Sequence, residues 1–84
     1  MKSTKITITN QAGLSSQPVC SFIQEANEFK SKLQIEHNDQ RVNAKSLLGI
    51  LSLNITMGTT ITLLADGPDE DEALTSLADV LSKL

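Results

Sequence analysis

Segments with two different hydrophobic periods follow one another along this chain, and their succession limits the folds open to it. Residues 4–9 alternate apolar and polar side chains, the pattern of a strand with one buried face, and direct Ile6 and Ile8 inward. Residues 60–65 alternate in the same way, until Asp66-Gly67-Pro68 ends that strand. Between and after these strands, apolar residues recur at helical spacing. The pattern predicts strands that alternate with amphipathic helices.

Two amphipathic helices are predicted from their start signals and apolar stripes. Pro18 suits the first turn of a helix that begins near Ser16, and Asp69 with Glu72 three residues later resembles a capping box at the start of the last helix. The stripe of the first helix comprises Val19, Phe22, Ile23 and Ala26, extended by Phe29, with Gln24, Glu25 and Glu28 facing water, and the stripe of the last comprises Leu74, Leu77, Ala78 and Leu81.

A hairpin and a third, short helix complete the prediction. Residues 33–36 and 40–42 flank the turn formers Asn38-Asp39, and Ser46 is a good N-cap for a helix over residues 47–53. The order is then strand, helix, strand, strand, short helix, strand, helix. With 84 residues there is room for one domain, spanning residues 1–84, and we expect an α+β fold of two layers with one face of the sheet open to water.

Composition argues against several classes of function. A net charge of −3 and only two aromatic residues disfavour direct nucleic-acid binding, and no apolar stretch is long enough to cross a membrane. Cys20 and His37, the only residues of their types, cannot form a four-ligand zinc site; we expect Cys20 to pack and His37 to be solvated. No paired carboxylates, metal cluster or glycine-rich phosphate loop is apparent, so we expect neither enzymatic activity nor a bound cofactor. We expect the protein to be cytoplasmic.

Three segments carry a family resemblance. They are Gly-Leu-Ser-Ser-Gln-Pro at residues 13–18, Asn-Ala-Lys-Ser-Leu-Leu-Gly at 43–49 and Gly-Pro-Asp-Glu-Asp-Glu-Ala-Leu at 67–74. With these segments at this spacing, the chain resembles the HPr phosphocarriers of the bacterial sugar phosphotransferase system over nearly its whole length. The resemblance implies an open-faced β-sandwich, in which a four-stranded antiparallel sheet is covered on one face by three helices.

The first segment departs from the family pattern Gly-Leu-His-Ala-Arg-Pro. Ser15 stands where the resemblance implies the phosphate-carrying histidine, and Gln17 stands where it implies an arginine that helps to hold the phosphate. A serine alkoxide is a far more basic leaving group than imidazole, and Gln17 offers one neutral amide in place of a bidentate clamp. We therefore expect no catalytic residue and no phosphocarrier activity, and we expect Ser15 or Ser16 to cap the first helix.

The second segment keeps the family pattern. Its Ser46 aligns with the regulatory serine that HPr kinase/phosphorylase modifies in Firmicutes, and a helix N-cap is a suitable position for an added phosphate. Leu47, Leu48 and Leu51 align with the apolar patch around that serine, and we expect part of this patch to be exposed. A retained serine with a missing histidine resembles the catabolite repression HPr subgroup, although that subgroup has glutamine at the histidine position and normally retains the arginine.

Two hypotheses for function follow from the resemblance. In the first, the kinase phosphorylates Ser46 and the modified chain binds a LacI-type transcription regulator as a corepressor in carbon catabolite repression. In the second, a diverged HPr-like domain binds phosphotransferase-system or metabolic enzymes without being phosphorylated. Lys45 either contributes to recognition or only keeps the surface soluble. The predicted partner-binding residues are Ser15, Gln17, Lys45, Ser46, Leu47, Leu48 and Leu51.

Overall fold

The computed structural model describes residues 1–83, apart from the side chain of Ser16, and it has the predicted order of strands and helices. The elements are β1 (Lys2–Thr7), α1 (Ser16–Ala26), β2 (Lys32–His37), β3 (Gln40–Asn43), α2 (Leu47–Ser52), β4 (Thr60–Asp66) and α3 (Glu70–Ser82). The four strands form one antiparallel sheet in the order β1-β4-β2-β3. This is the predicted open sheet with three helices. Among residues 1–83, no helix combines the length and the apolar character that a membrane-spanning segment needs.

The alternation of the strands places their apolar side chains against the helices. Strand β1 lies two residues earlier than predicted, because its pairing with β4 runs from Lys2 opposite Ala65 to Thr7 opposite Thr60. Ile8, just beyond the strand, is fully buried as predicted, whereas Ile6 is half-buried at this sheet edge. The central strands and the three helices supply the rest of one continuous core, which includes Val19, Phe22, Leu33, Ile35, Ile50, Ile61, Leu63, Leu77 and Leu81.

Leu64 differs from the expectation for the solvent face of the sheet. Its neighbours Leu63 and Ala65 belong to the core, so alternation directs Leu64 to the opposite face, yet it is only 6% exposed. The reason is its place in the middle of β4, a strand paired on both sides. Ser3 of β1 and Gln34 of β2 lie directly opposite Leu64 in the register and flank it on both sides.

The predicted hairpin is confirmed. Strands β2 and β3 pair from Gln34 opposite Asn43 to His37 opposite Gln40, which leaves a two-residue turn. Asn38 and Asp39 occupy this turn with φ angles of 50° and 64°, the left-handed conformation that such hairpins require and that asparagine and aspartate tolerate. The turn fixes the register of β3 and therefore the point at which the chain turns toward α2.

Two side chains of the helices differ from the sequence prediction. Glu25 of α1 was expected in water, but it is half-buried and accepts a hydrogen bond from Ser76 of α3. Phe29 lies beyond the end of α1, where it is half-buried against the same core. Helix α1 packs against both α2 and α3, so contacts between helices explain the shielding of Glu25. The stripe of α3 is confirmed at Leu74, Leu77 and Leu81.

The capping box predicted for α3 is wrong. Asp69 is the N-cap residue, but its side chain makes no cap hydrogen bond. Its carboxylate instead accepts from the backbone N–H groups of Lys30 and Ser31, both at 2.9 Å, and from the buried hydroxyl of Ser31. The hydrogen bond from the Ser31 side chain, followed by that from the Lys30 N–H, lowers the pKa of Asp69 below its usual value. Asp69 thus joins the loop before β2 to the start of α3.

Candidate functional site

The turn between β3 and α2 holds Ser46 in a defined geometry. Asn43, at the end of β3, accepts a hydrogen bond at its side-chain oxygen from the Lys45 N–H at 2.8 Å, and at its carbonyl from the Ser46 N–H at 3.1 Å. Ser46 is the N-cap of α2, as predicted, and its Oγ accepts from the Gly49 N–H at 3.2 Å. The Ser46 carbonyl accepts from Ile50 at 3.0 Å. The half-buried Ser46 hydroxyl therefore has a single protein partner, the Gly49 N–H, among the described residues.

Two of the three predicted patch leucines are exposed. Leu48 is 80% exposed and Leu47 is 40% exposed, and we call these two residues the leucine patch. Leu51 is half-buried and packs against the core, one helical turn from Leu47 and Leu48, so part of the predicted patch is exposed. Ile50 is fully buried and anchors α2 to the core. The short helix therefore buries one side and leaves the leucine patch uncovered beside Ser46.

Ser15 ends the loop between β1 and α1, Gln17 lies in the first turn of α1, and both are exposed. Ser15 is the N-cap residue of α1, but its side chain makes no cap hydrogen bond, which corrects the capping role expected for it; the side chain of Ser16 lies outside the described residues. Gly13 has φ of +61°, and a Cβ there would overlap the backbone carbonyl of Ile55. Because glycine has no side chain, the loop can pack directly on the segment after α2. The left-handed backbone at position 13 favours glycine as well.

A groove of about 270 Å³ lies between this loop and the end of α2. Ser15 lines one side and Leu51 the other, so the structure brings these two predicted site residues together. The remaining lining residues are Ala12, Leu14, Asn54, Ile55 and Thr56. Gln17 is not among the lining residues. The segment 54–56, which sequence reasoning did not select, forms part of the same surface because it packs against Gly13 and Leu14.

The side chain of Lys45 is held by a hydrogen bond and is not fully solvated. Its Nζ donates to the backbone carbonyl of Phe29 at 2.8 Å, and the residue is half-buried. This hydrogen bond connects the turn before α2 to the segment that follows α1. Lys45 therefore supports the position of Ser46, whatever it contributes to a partner.

The histidine and the cysteine are not among the residues that line this groove. His37, the only histidine, ends β2 beside the hairpin turn, whereas Ser15 occupies the loop that enters α1. Cys20 is an exposed free cysteine of α1, so the prediction that it packs is wrong; residues 19 and 22 bury instead, and Cys20 falls on the outer side of the helix. Within residues 1–83, no three His, Cys, Asp or Glu side chains are grouped to hold a metal ion.

Comparison with known proteins agrees with this arrangement. The family model for the PTS HPr component phosphorylation site matches residues 2–83. The HPr-like protein Crh of Bacillus subtilis (strain 168) is 44% identical over 78 residues, covering 93% of this chain and 92% of the relative, and that of Halalkalibacterium halodurans is 41% identical over 83 residues, covering 99% of both. The HPr-C-His structure from Thermoanaerobacter tengcongensis superposes with a TM-score of 0.96 at 40% identity, covering 99% of this chain and 93% of that one.

These matches extend over the sheet, the three helices and the segments at residues 13–18, 43–49 and 67–74. They therefore do not depend on a single motif. The structural agreement covers the turn that holds Ser46 and the loop that holds Ser15. Proteins of this family are phosphocarriers or regulators. This is consistent with a site made of a serine at a helix N-cap and exposed leucines. The chain therefore belongs to the HPr family of the phosphotransferase system.

Proposed function

We propose that this chain is a regulatory HPr-like protein of the cytoplasm. In this proposal Ser46 accepts a phosphoryl group from an HPr kinase/phosphorylase, and the modified chain binds a LacI-type transcription regulator as a corepressor in carbon catabolite repression. The observation that carries the proposal is the position of Ser46, whose half-buried hydroxyl lies at the N-cap of α2 directly before the exposed leucine patch. A partner can contact both in one interface.

The hydrogen bonds around Ser46 support a modification that leaves the fold intact. Two backbone hydrogen bonds, from Ser46 to Asn43 and from Ile50 to Ser46, hold the turn without using the side-chain oxygen. A phosphate would add about 1.5 to 2 negative charges at neutral pH and three acceptor oxygens to this surface. An arginine of the regulator is the group best suited to pair with them, while the leucine patch fills a neighbouring apolar groove.

The residues at the start of α1 support a regulatory role over phosphate relay. Ser15 and Gln17 occupy the positions at which the family resemblance implies the carrier histidine and its arginine, and the chain's only histidine lies in the β-hairpin. Two relatives at 41–44% identity are named HPr-like protein Crh. The exposed Ser15 side chain remains available to contact a partner across the groove that it shares with Leu51.

Phosphorylation is tested by incubating the chain with the kinase and ATP and measuring the intact mass. Ser52 provides a matched control because it is the other serine of the α2 region and its hydroxyl donates to the Gly49 carbonyl at 2.7 Å. We expect one phosphate on the wild type and on Ser52→Ala, and none on Ser46→Ala. An unmodified wild type would contradict the proposal and would favour an HPr-like domain that binds phosphotransferase-system or metabolic enzymes without phosphate.

A further inference from the structure

Gly49 lies closer to Ser46 than a residue with a side chain usually does. A Cβ at position 49 would lie 3.2 Å from the Ser46 Oγ, 3.3 Å from the Cβ of Val42 and 3.4 Å from the Cβ of Ser46. The first two separations are tighter than most Cβ contacts in proteins, so Ser46 or Val42 would have to shift by a few tenths of an ångström. Position 49 therefore holds α2 against both Ser46 and strand β3.

The backbone conformation does not explain why this residue is a glycine. Gly49 lies within α2, and the glycines with positive φ are Gly13, Gly58 and Gly67. Alanine is a better helix former than glycine, so conformational preference alone favours a side chain at this position. What favours glycine at this position is the narrow space between Ser46 and Val42.

We propose that Gly49 is a positioning residue for the phosphorylation of Ser46, an inference that rests on the function proposed above. Its N–H orients the Ser46 Oγ, and its missing Cβ leaves the space in which that oxygen lies. Val42 belongs to a paired strand and packs against the core, so it cannot retreat easily. The Ser46 Oγ moves by rotation about one bond and is therefore the atom that a Cβ would displace.

A displaced oxygen slows phosphoryl transfer because the reacting atoms must align. In this step the Oγ–P bond forms as the bond from phosphorus to the ADP leaving group breaks, and a base of the kinase takes the hydroxyl proton. Small misplacements of reacting groups reduce rates strongly. We expect Gly49→Ala to lower the kcat/KM of the kinase for this chain about tenfold, which corresponds to ~1.4 kcal/mol of barrier. The loss should lie in kcat, because the leucine patch available for binding is unchanged.

The kinetic test compares the wild type, Gly49→Ala and Ser52→Ala with the kinase and ATP at a temperature well below unfolding. Ser52→Ala changes the same helix to the same residue type and leaves the space beside Ser46 open. It removes only the hydrogen bond to the Gly49 carbonyl, and its kcat and KM should stay close to those of the wild type. An unchanged kcat for Gly49→Ala would overturn the role of Gly49 while the proposed function stands. A wild type that takes no phosphate would instead overturn the proposed function.

A second measurement detects the contact without the kinase. If the added Cβ presses on the Ser46 oxygen, Gly49→Ala should lower the melting temperature more, or raise it less, in the wild type than in Ser46→Ala. In Ser46→Ala that oxygen is absent. Equal shifts in the two backgrounds would contradict the proposed contact. Failure of Gly49→Ala to fold at 25 °C would also overturn the proposal, because Gly49 would then be needed for folding and not for positioning.

Discussion

Alanine substitutions along α2 should separate residues that bind a partner from residues that hold the fold. Full burial of a leucine contributes about 1.5–3 kcal/mol, and Leu48 at 80% exposure retains roughly one-fifth of that, about 0.3–0.6 kcal/mol. Ile50 is fully buried, and replacing a buried isoleucine by alanine costs about 2–5 kcal/mol. In a domain of this size each 1 kcal/mol lowers the melting temperature by roughly 4–8 °C. Ile50→Ala should therefore melt at least about 8 °C lower, and Leu48→Ala a few degrees lower at most.

Urea unfolding of Leu48→Ala, Leu51→Ala and Ile50→Ala measures these differences, and the half-buried Leu51 should fall between the other two. Titration of phosphorylated Leu48→Ala into the regulator then measures binding, and we expect a loss of at least about fivefold, or ~1 kcal/mol. A stability loss above ~2 kcal/mol for Leu48→Ala would place it in the core and refute the patch. Wild-type affinity of that variant would refute its role in binding.

Three further predictions concern other parts of the chain. Hydrogen bonds from Ser31 and Lys30 lower the pKa of Asp69 below 3.8, so the ionised carboxylate stabilises the fold above pH ~4, and this effect is lost as the pH falls through the folded-state pKa. The difference in melting temperature between the wild type and Asp69→Asn should therefore narrow as the pH falls through that pKa. A constant difference down to pH ~2 would contradict this prediction. The exposed Cys20 thiol should react with a disulfide reagent in the native protein at a rate close to that in denaturant, and strong protection would show that it is buried. Enzyme I with phosphoenolpyruvate should leave the wild type unlabelled, whereas Ser15→His with Gln17→Arg should restore labelling if the loop keeps the carrier geometry; acid-labile phosphate on the wild type would contradict the loss of relay.

The order of elements was predictable because each element carries its own local pattern. The turn at Asn38 and Asp39 and the cap at Ser46 depend on residues within four positions of one another, and both are confirmed. Asp69 shows the limit of such reasoning. Its local pattern indicates a capping box, but its carboxylate binds a segment 38 residues earlier, and no local pattern contains that contact.

Partial burial within the site was equally hard to predict. Leu48 and Leu51 both belong to an apolar segment, yet the first is exposed and the second packs against the core. The difference depends on which side of α2 faces the core, where Ile50 is fully buried and to which Leu51 adds a partly buried side chain. A single sequence shows that a short helix has more leucines than it can bury, but the packing decides which of them remain outside.

The proposed corepressor function is tested most directly by measuring how affinity for the LacI-type regulator depends on phosphate at Ser46. Calorimetric titrations would compare the kinase-treated chain, the untreated chain and kinase-treated Ser46→Ala. Because phosphate and leucine patch act together in one interface, we expect the treated wild type to bind at least about tenfold more tightly than the other two, a difference of ~1.4 kcal/mol. Equal affinity of all three, with Ser46 shown to carry phosphate in the treated wild type, would contradict the corepressor function and leave an unmodified binding domain as the better account.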